Sequence, residues 1–308
     1  LKNKFSGHSN SYFALIKLFF HRLKILFHQR NYDLIILHCE LLPMMPAWFE
    51  RALLRIPYIY DFDDAFFLRY RQGDLQGLQL FLGDKFDSII SRATAVHAGN
   101  YFLKEYALQF NPKTLYFPTV VDSQRYSVAP KVSSEFYTVG WIGSPSTSAY
   151  LKSLIAPLEE LGKNIPIKLV VIGGEVPSIN NIHVQCIAWS ESEEIDLINT
   201  FDVGVMPLPD DEWARGKCAF KLLQYMACGV PVVASDIGAN RDVVNLDVGF
   251  LASNDADWIN ALTTLYNEPQ TRKRLGANGR LMVEEQYSLS SNLPILIKAI
   301  NNALNFNA

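Results

Sequence analysis

Apolar residues fall along this chain in two alternating series. Short unbroken apolar runs take turns with longer stretches whose apolar positions recur every three and four residues. The short runs read as buried strands and the three-four spacing as amphipathic helix. Residues 10–29 set Leu15, Ile16, Phe19, Phe20, Leu23, Ile25 and Phe27 against Lys17, Arg22, Lys24 and Arg30, the pattern of a cationic amphipathic helix. Strands are predicted at 34–37, 58–60, 95–96 and 115–117, with helices at 46–54, 78–91 and 101–109 between them. Such alternation builds crossover units and a parallel sheet.

Residues 118–135 break the rhythm with Pro118, Pro130 and several serines, and read as an interdomain linker. The second series opens with a strand at 137–142. Ser144 is then placed as a helix N-cap with Pro145 at the first helical position. Leu151, Leu154, Ile155, Leu158 and Leu161 supply the stripe of that helix. Further strands are predicted at 169–172, 184–187, 203–206, 232–234 and 249–251. Ser190 and Glu193 have capping-box spacing. The helix marked by Phe220, Leu223, Met226 and Ala227 stops at Gly229, with Pro231 beyond it. The pattern is that of an α/β protein with two doubly wound domains.

Composition agrees with two domains: 308 residues, 49% hydrophobic and 19% charged, exclude a disordered chain. The four cysteines lie far apart with no CxxC pair, so neither a disulfide framework nor a zinc site is indicated. Charge is polarised: residues 1–30 hold six Lys or Arg, three His and no acid. No apolar run reaches the length of a membrane-spanning helix. The expectation is a cytoplasmic protein. Residues 10–30 either contact the inner face of an anionic membrane or form a packed helix with a solvated cationic face. Nucleic acid is excluded as a partner, because the basic stretch lacks a recognisable reader fold.

Ligands of open parallel sheets bind beyond the carboxyl ends of strands, and three loops there carry candidate chemistry. The first, 140–147 (GWIGSPST), reads either as a phosphate site at a helix start or as a tight turn. The second, 215–224 (RGKCAFKLLQ), gathers Arg215, Lys217 and Lys221 where a helix opens, which favours an anion if these residues are not simply solvated. The third, 229–238, is a strand leading to a glycine turn and is common to any parallel sheet.

The stretch KCAFKLLQYMACGVPVVAS at 217–235 resembles the signature helix–turn–strand of glycosyltransferase family four, the retaining group 1 enzymes with the GT-B fold. FDVGVMP at 201–207, VVIGG at 170–174, Pro118–Asp122 with Tyr126, Val248–Leu251 and the ending GANGRLMVEEQYSLSSNL fit the same family in order. The resemblance implies two Rossmann-like domains facing across a cleft. An acceptor-side domain would span 1–127, a nucleotide-sugar donor domain 128–287, and a last helix, 288–308, would return to the first domain. It implies a hexosyltransferase moving sugar from a nucleotide-diphosphate sugar to a glycan or lipid-linked acceptor in cell-surface polysaccharide synthesis. No cofactor and no catalytic metal are expected. The family normally opens with a strand and a Gly-rich turn, which this chain does not show, so an opening segment is expected to be missing.

The donor-site candidates are Gly143, Ser144, Thr147, Gly173, Trp189, Lys217, Phe220 and Gln224. The family's usual Arg and Lys after the first strand of this domain are absent, so Ser144, Thr147 and Lys217 are inferred in their stead, and Trp189 reads either as a neighbour of the base or as core. Gly216 and Gln224 stand where the family often has two glutamates, so a carboxylate is missing at the first. Lys217 and Lys221 are then expected to meet the diphosphate, with Lys221 catalytic because charge grows on the leaving group. In the first half, IILHCELLP at 35–43 resembles the family's strand-plus-His-Glu segment. YIYDFDDAFF at 58–67 puts Asp63 where an acceptor-side histidine often stands, making Asp63 the second catalytic candidate. Helix-capping aspartates there, or a metal-binding Asp61–Asp63 pair of the other glycosyltransferase fold class, are the competing readings. For the whole chain, the rivals are a nucleotide-sugar epimerase and a non-catalytic homologue that binds a nucleotide sugar or a partner. A nicotinamide-dependent dehydrogenase ranks last, since no GxGxxG follows a strand.

Overall fold

A computed structural model describes residues 12–73, 75–131 and 134–305, with the side chains of 12–15 left aside. The chain forms two compact units. The first comprises the described residues of Ser9–Thr119, Asp211–Cys218 and Leu293–Ala308; the second comprises those of Val120–Asp210 and Ala219–Asn292.

The first unit is built on a four-stranded parallel sheet of β1 (Ile35–His38), β2 (Tyr58–Phe62), β3 (Ala95–Ala98) and β4 (Thr114–Tyr116), in that spatial order. The second carries six parallel strands: β5 (Tyr137–Ile142), β6 (Ile167–Ile172), β7 (His183–Ile187), β8 (Val203–Met206), β9 (Val232–Ser235) and β10 (Gly249–Ala252). Their spatial order is β10-β9-β8-β5-β6-β7. Helices cover both faces of such a sheet, so its central strands are predominantly apolar. Accordingly every residue of β5, β8 and β9 is buried, whereas edge strand β7 is largely exposed. Gly140 sits mid-strand because a Cβ there would lie 2.0 Å from the buried Phe201 ring.

All predicted strands form, but several helix starts differ. The helix expected at 78–91 is broken into Gln79–Leu82 and Lys85–Arg92. Arg71 Nε takes the Gly83 carbonyl at 2.9 Å and its guanidinium grips Asp87. Ser144 does not cap a helix at Pro145. A turn closed by Thr147 precedes a 3-10 helix at Ser148–Leu154, and α-helix begins only at Ile155. The Ser190–Glu193 box does not form either, because Ser190 Oγ pairs with Ser192 Oγ. Along the chain the two units meet at Thr119/Val120, and Asp211–Cys218 and the described residues of Leu293–Ala308 return to the first. Residues after Val120 are bound to the second unit by Arg280, which donates to the Ser123 and Tyr126 carbonyls, and by Tyr126, whose hydroxyl donates to Glu194 Oε1 at 2.6 Å.

The loop after β1 is fastened by buried charge. Lys85 is fully buried, with Nζ 2.6 Å from Glu40 Oε1, 3.0 Å from Glu50 Oε1 and 2.6 Å from the Leu42 carbonyl. The Tyr70 hydroxyl donates to Glu40 Oε1 and the Leu42 amide to Glu50 Oε1, while Glu50 Oε2 has no partner. Arg22, from the helix Tyr12–Phe27, donates to the carbonyls of Glu40 and Leu41. Removing one member of a buried ion cluster strands the others, so Lys85→Met should cost about 3–5 kcal/mol in urea unfolding. Burial pushes the Glu50 carboxyl up to about 7 from an ordinary 4.5, against the pull of Lys85. Between those values the folded chain keeps a proton that the unfolded chain has lost, so this group makes stability fall as pH rises across that window. Glu50→Gln should flatten that part of the stability-versus-pH curve.

Candidate active site

Parallel pairing brings the strand ends of the first unit into one row. His38 pairs in register with Asp61, and Asp61 with His97. The His38 Nδ1–H donates to Asp61 Oδ2 at 2.8 Å, and its Nε2 lies 3.8 Å from Asp63 Oδ1. The hydrogen bond to Asp61 raises the His38 pKa above the ordinary value, opposed by partial burial and helped by the charge of Asp63. Burial, then the neighbouring Asp64, raises the Asp63 carboxyl, with His38 pulling the other way. His97 is buried, its Nε2 has no partner, and burial lowers its pKa. Around Asp63 the Cys39 thiol donates to its Oδ1 at 3.6 Å and the Cys218 thiol to its carbonyl at 3.0 Å. A hydrogen-bonding edge results, with a carboxylate and an imidazole that both reach solvent.

Asp211–Cys218 belongs to this unit. Its short helix Glu212–Arg215 is capped by Asp211, and Asn100 donates to the carbonyls of Arg215 and Lys217. Lys217 Nζ is 2.8 Å from Asp64 Oδ1 and 5.1 Å from the Trp213 ring centre. Lys217 therefore balances Asp64, two residues past the end of β2, and it lies before the helix Phe220–Ala227 that carries Lys221. Gly216 is buried with no room for a side chain, since a Cβ there would lie 2.5 Å from Ala65 Cβ and 2.9 Å from the Ala65 nitrogen.

In the second unit, the buried Trp141 organises the loops at the carboxyl edge. A Cβ on Gly143 would lie 2.3 Å from its ring and one on Gly174 2.8 Å, so both loops close around the indole. Gly173 has φ +74, a conformation glycine adopts without strain. Ser144 and Thr147 bond each other across the turn, the Thr147 hydroxyl accepting from the Ser144 amide at 3.1 Å. Lys221 Nζ lies 5.5 Å from the Trp141 ring centre, which draws the ammonium toward these loops. Gly143, Ser144, Thr147 and Lys221 thus surround Trp141, with Gly173 preceding Gly174 in the second loop. Phe220 is exposed at the start of its helix, after Ala219 in the left-handed region. Gln224 and Trp189 lie elsewhere, in a network centred on Glu194. The Gln224 amide donates to the Tyr126 hydroxyl at 2.8 Å, and the indole N–H of Trp189 to Glu194 Oε2 at 2.7 Å.

Residues 137–268 match the family model described as Glycosyl transferases group 1. That stretch is a group 1 glycosyltransferase domain. The chain as a whole carries the GT-B fold and is a glycosyltransferase. Sucrose-phosphate synthase from Thermosynechococcus elongatus is 14% identical at a TM-score of 0.71, covering 98% of this chain and 82% of that one. Anabaena HepE in complex with UDP-glucose is 16% identical at 0.66, covering 91% and 82%. A glycosyltransferase from Rickettsia africae is 14% identical at 0.66, covering 96% and 84%. At such identities the likeness shows the fold. A search of curated sequences finds no match.

Motif reading in this glycosyltransferase missed His38, Cys39 and His97 as members of the first edge, and Trp141 as the organiser of the loops at the second. Only strand register and loop closure bring them into place. Two measurements follow. Asp61→Asn removes the bond that holds the His38 proton, so the imidazole pKa should fall in an NMR titration. Gly216→Glu, the family-like substitution, should lower stability by at least the ~1–3 kcal/mol of overpacking instead of improving turnover.

Proposed function

We propose that this glycosyltransferase is a retaining enzyme that moves a hexose from a nucleotide-diphosphate sugar to a glycan or lipid-linked acceptor in cell-surface polysaccharide synthesis. The observation that carries the reading is the grouping of Lys221 with the Gly143–Thr147 turn around Trp141, inside the stretch that matches the family. There an ammonium, two hydroxyls and closely packed glycine backbone form a cradle for a diphosphate. As the sugar–phosphate bond breaks, charge develops on the diphosphate, and Lys221 stabilises it. Lys217, held by Asp64, keeps the acceptor-side aspartates in place. Asp63, with His38 beside it, orients the acceptor hydroxyl. A groove of about 220 Å³ lined by Arg22, Leu26, Ile36, His38 and Glu40 offers an acceptor a partly apolar bed. UDP is the first nucleotide to try, because HepE is recorded with UDP and UDP-glucose. The transfer is proposed to be independent of metal.

Membrane contact is part of the same proposal. No helix among the described residues is long and apolar enough to cross a membrane. The helix Tyr12–Phe27 nevertheless exposes Ile16, Leu18, Phe20, Ile25 and Phe27 alongside Lys17 and Lys24. Such a face suits an anionic leaflet, at about 1 kcal/mol per basic residue.

A thermal-shift screen with UDP, GDP and ADP and their sugars, in EDTA, tests the donor site. One nucleotide family should stabilise the protein, and a null result with all of them would sink the reading. Lys221→Ala should lower turnover about a hundredfold or more, with Lys221→Arg retaining part of it, and the anomeric proton of the product should report retention. Exchanging Lys17, Lys24 and Arg30 for Gln should weaken sedimentation with anionic vesicles roughly a hundredfold. Unchanged sedimentation would remove the membrane from the proposal.

A further inference from the structure

We propose that His38, Cys39 and Asp63 form a binding site for a zinc-class divalent cation, with Asp61 fixing the histidine from behind. The imidazole nitrogen, the thiol sulfur and a carboxylate oxygen of these residues all lie within 4.8 Å of one another. His38 Nε2 is 3.8 Å and Cys39 Sγ 3.6 Å from the same oxygen, Asp63 Oδ1. A tetrahedral ion bonded at about 2.0–2.3 Å needs ligand atoms roughly 3.3–3.8 Å apart. The sulfur–oxygen edge already meets that requirement, and the nitrogen–oxygen edge, which belongs at the short end of that range, needs to close by about half an ångström.

The backbone is arranged for this convergence. Successive side chains of a strand point to opposite faces, yet His38 and Cys39 are adjacent and both reach Asp63. Cys39 achieves this with φ +58, a conformation a non-glycine residue rarely adopts. Its amide donates to the Asp61 carbonyl at 2.9 Å, and its carbonyl accepts from the Tyr60 hydroxyl at 2.8 Å, which holds the bend in place. Behind the imidazole, Asp61 takes the Nδ1 proton and leaves Nε2 turned to the cluster. Histidine ligands are commonly supported in this way.

The donor set selects the ion. A thiolate with nitrogen and one carboxylate oxygen suits Zn²⁺ or Co²⁺ and disfavours Mg²⁺ and Ca²⁺. As the metal–sulfur bond forms, the Cys39 proton passes to solvent. His38 is more than half exposed, so the ion has a route in and a fourth position for water. Binding does not depend on the proposed transfer reaction. One consequence does rest on that reading: zinc and an acceptor hydroxyl would compete for Asp63.

Titration of the full chain with Co²⁺ tests the site, read by the thiolate-to-cobalt charge-transfer band and its loss on adding Zn²⁺. One equivalent should bind, and Mg²⁺ should not displace it. Cys39→Ser and His38→Ala should abolish the band. Cys186→Ser, which removes an exposed thiol in the second unit, should leave it intact. Asp61→Asn should weaken binding 10- to 100-fold. Zn²⁺ should raise the melting temperature of the parent protein but not that of Cys39→Ser, whose urea midpoint shows that it is folded. No band in the parent protein, a band that survives Cys39→Ser, or one that disappears with Cys186→Ser would each overturn the assignment. None of these readouts uses sugar transfer, so the site stands or falls separately from the enzyme's activity.

Discussion

Every strand in both sheets pairs in parallel with its neighbours, and the rest of the molecule follows from that constraint. A parallel pair cannot be closed by a hairpin, so the chain must cross over, through helices for most pairs and through the loop 173–182 between β6 and β7, and return to the same starting edge. All the carboxyl ends of one sheet consequently lie along one edge, with helix starts and tight loops gathered beside them. In the first unit that edge holds His38, Asp61 and Asp63. In the second it holds the Gly143–Thr147 turn, the Gly173–Gly174 turn and the end of β9. The cost is a sheet interior with no solvated face, met by the fully buried strands β5, β8 and β9, whose only polar residues are Thr138 and Ser235.

Local packing then divides the cationic residues between different tasks. Lys85 is entirely enclosed and bridges two glutamates that pin the loop after β1. Lys217 offsets Asp64 beside the catalytic candidates. Lys221 rests against an indole at the mouth of the glycine loops. The sequence presents all three simply as lysines near helix starts, and their environments separate a buried ion, an ion held against Asp64 and an ion resting on an aromatic ring. Gly216 shows the same logic in reverse. Where the family often has a carboxylate, contact with Ala65 leaves space only for hydrogen.

The strands were legible because a buried parallel strand leaves a strong mark, an apolar run between turn residues. Helix starts were less so. Ser144–Pro145 and Ser190–Glu193 both carry cap-like spacing, yet each set of side chains found a nearer partner within its own turn. The helix expected at 78–91 is interrupted at Gly83, whose carbonyl accepts from the Arg71 guanidinium. Asp63 could be singled out through resemblance to a family motif. His38, only two residues before Glu40, could not be matched to Asp61 until the register of β1 against β2 was known.

The sequence by itself therefore determined the α/β class, the two alternating series and the region that belongs to group 1 glycosyltransferases. These features depend on local spacing and on a motif that is continuous along the chain. Tertiary structure alone decided which charges meet. It paired Lys217 with Asp64 across about 150 residues of chain, placed Lys221 over Trp141, tied Gln224 to Glu194 through Tyr126, and turned His38 and Cys39 toward one carboxylate. Such contacts act over a few ångströms and fall off steeply with distance. They are fixed by strand register and loop closure, which no one-dimensional pattern of residue types encodes.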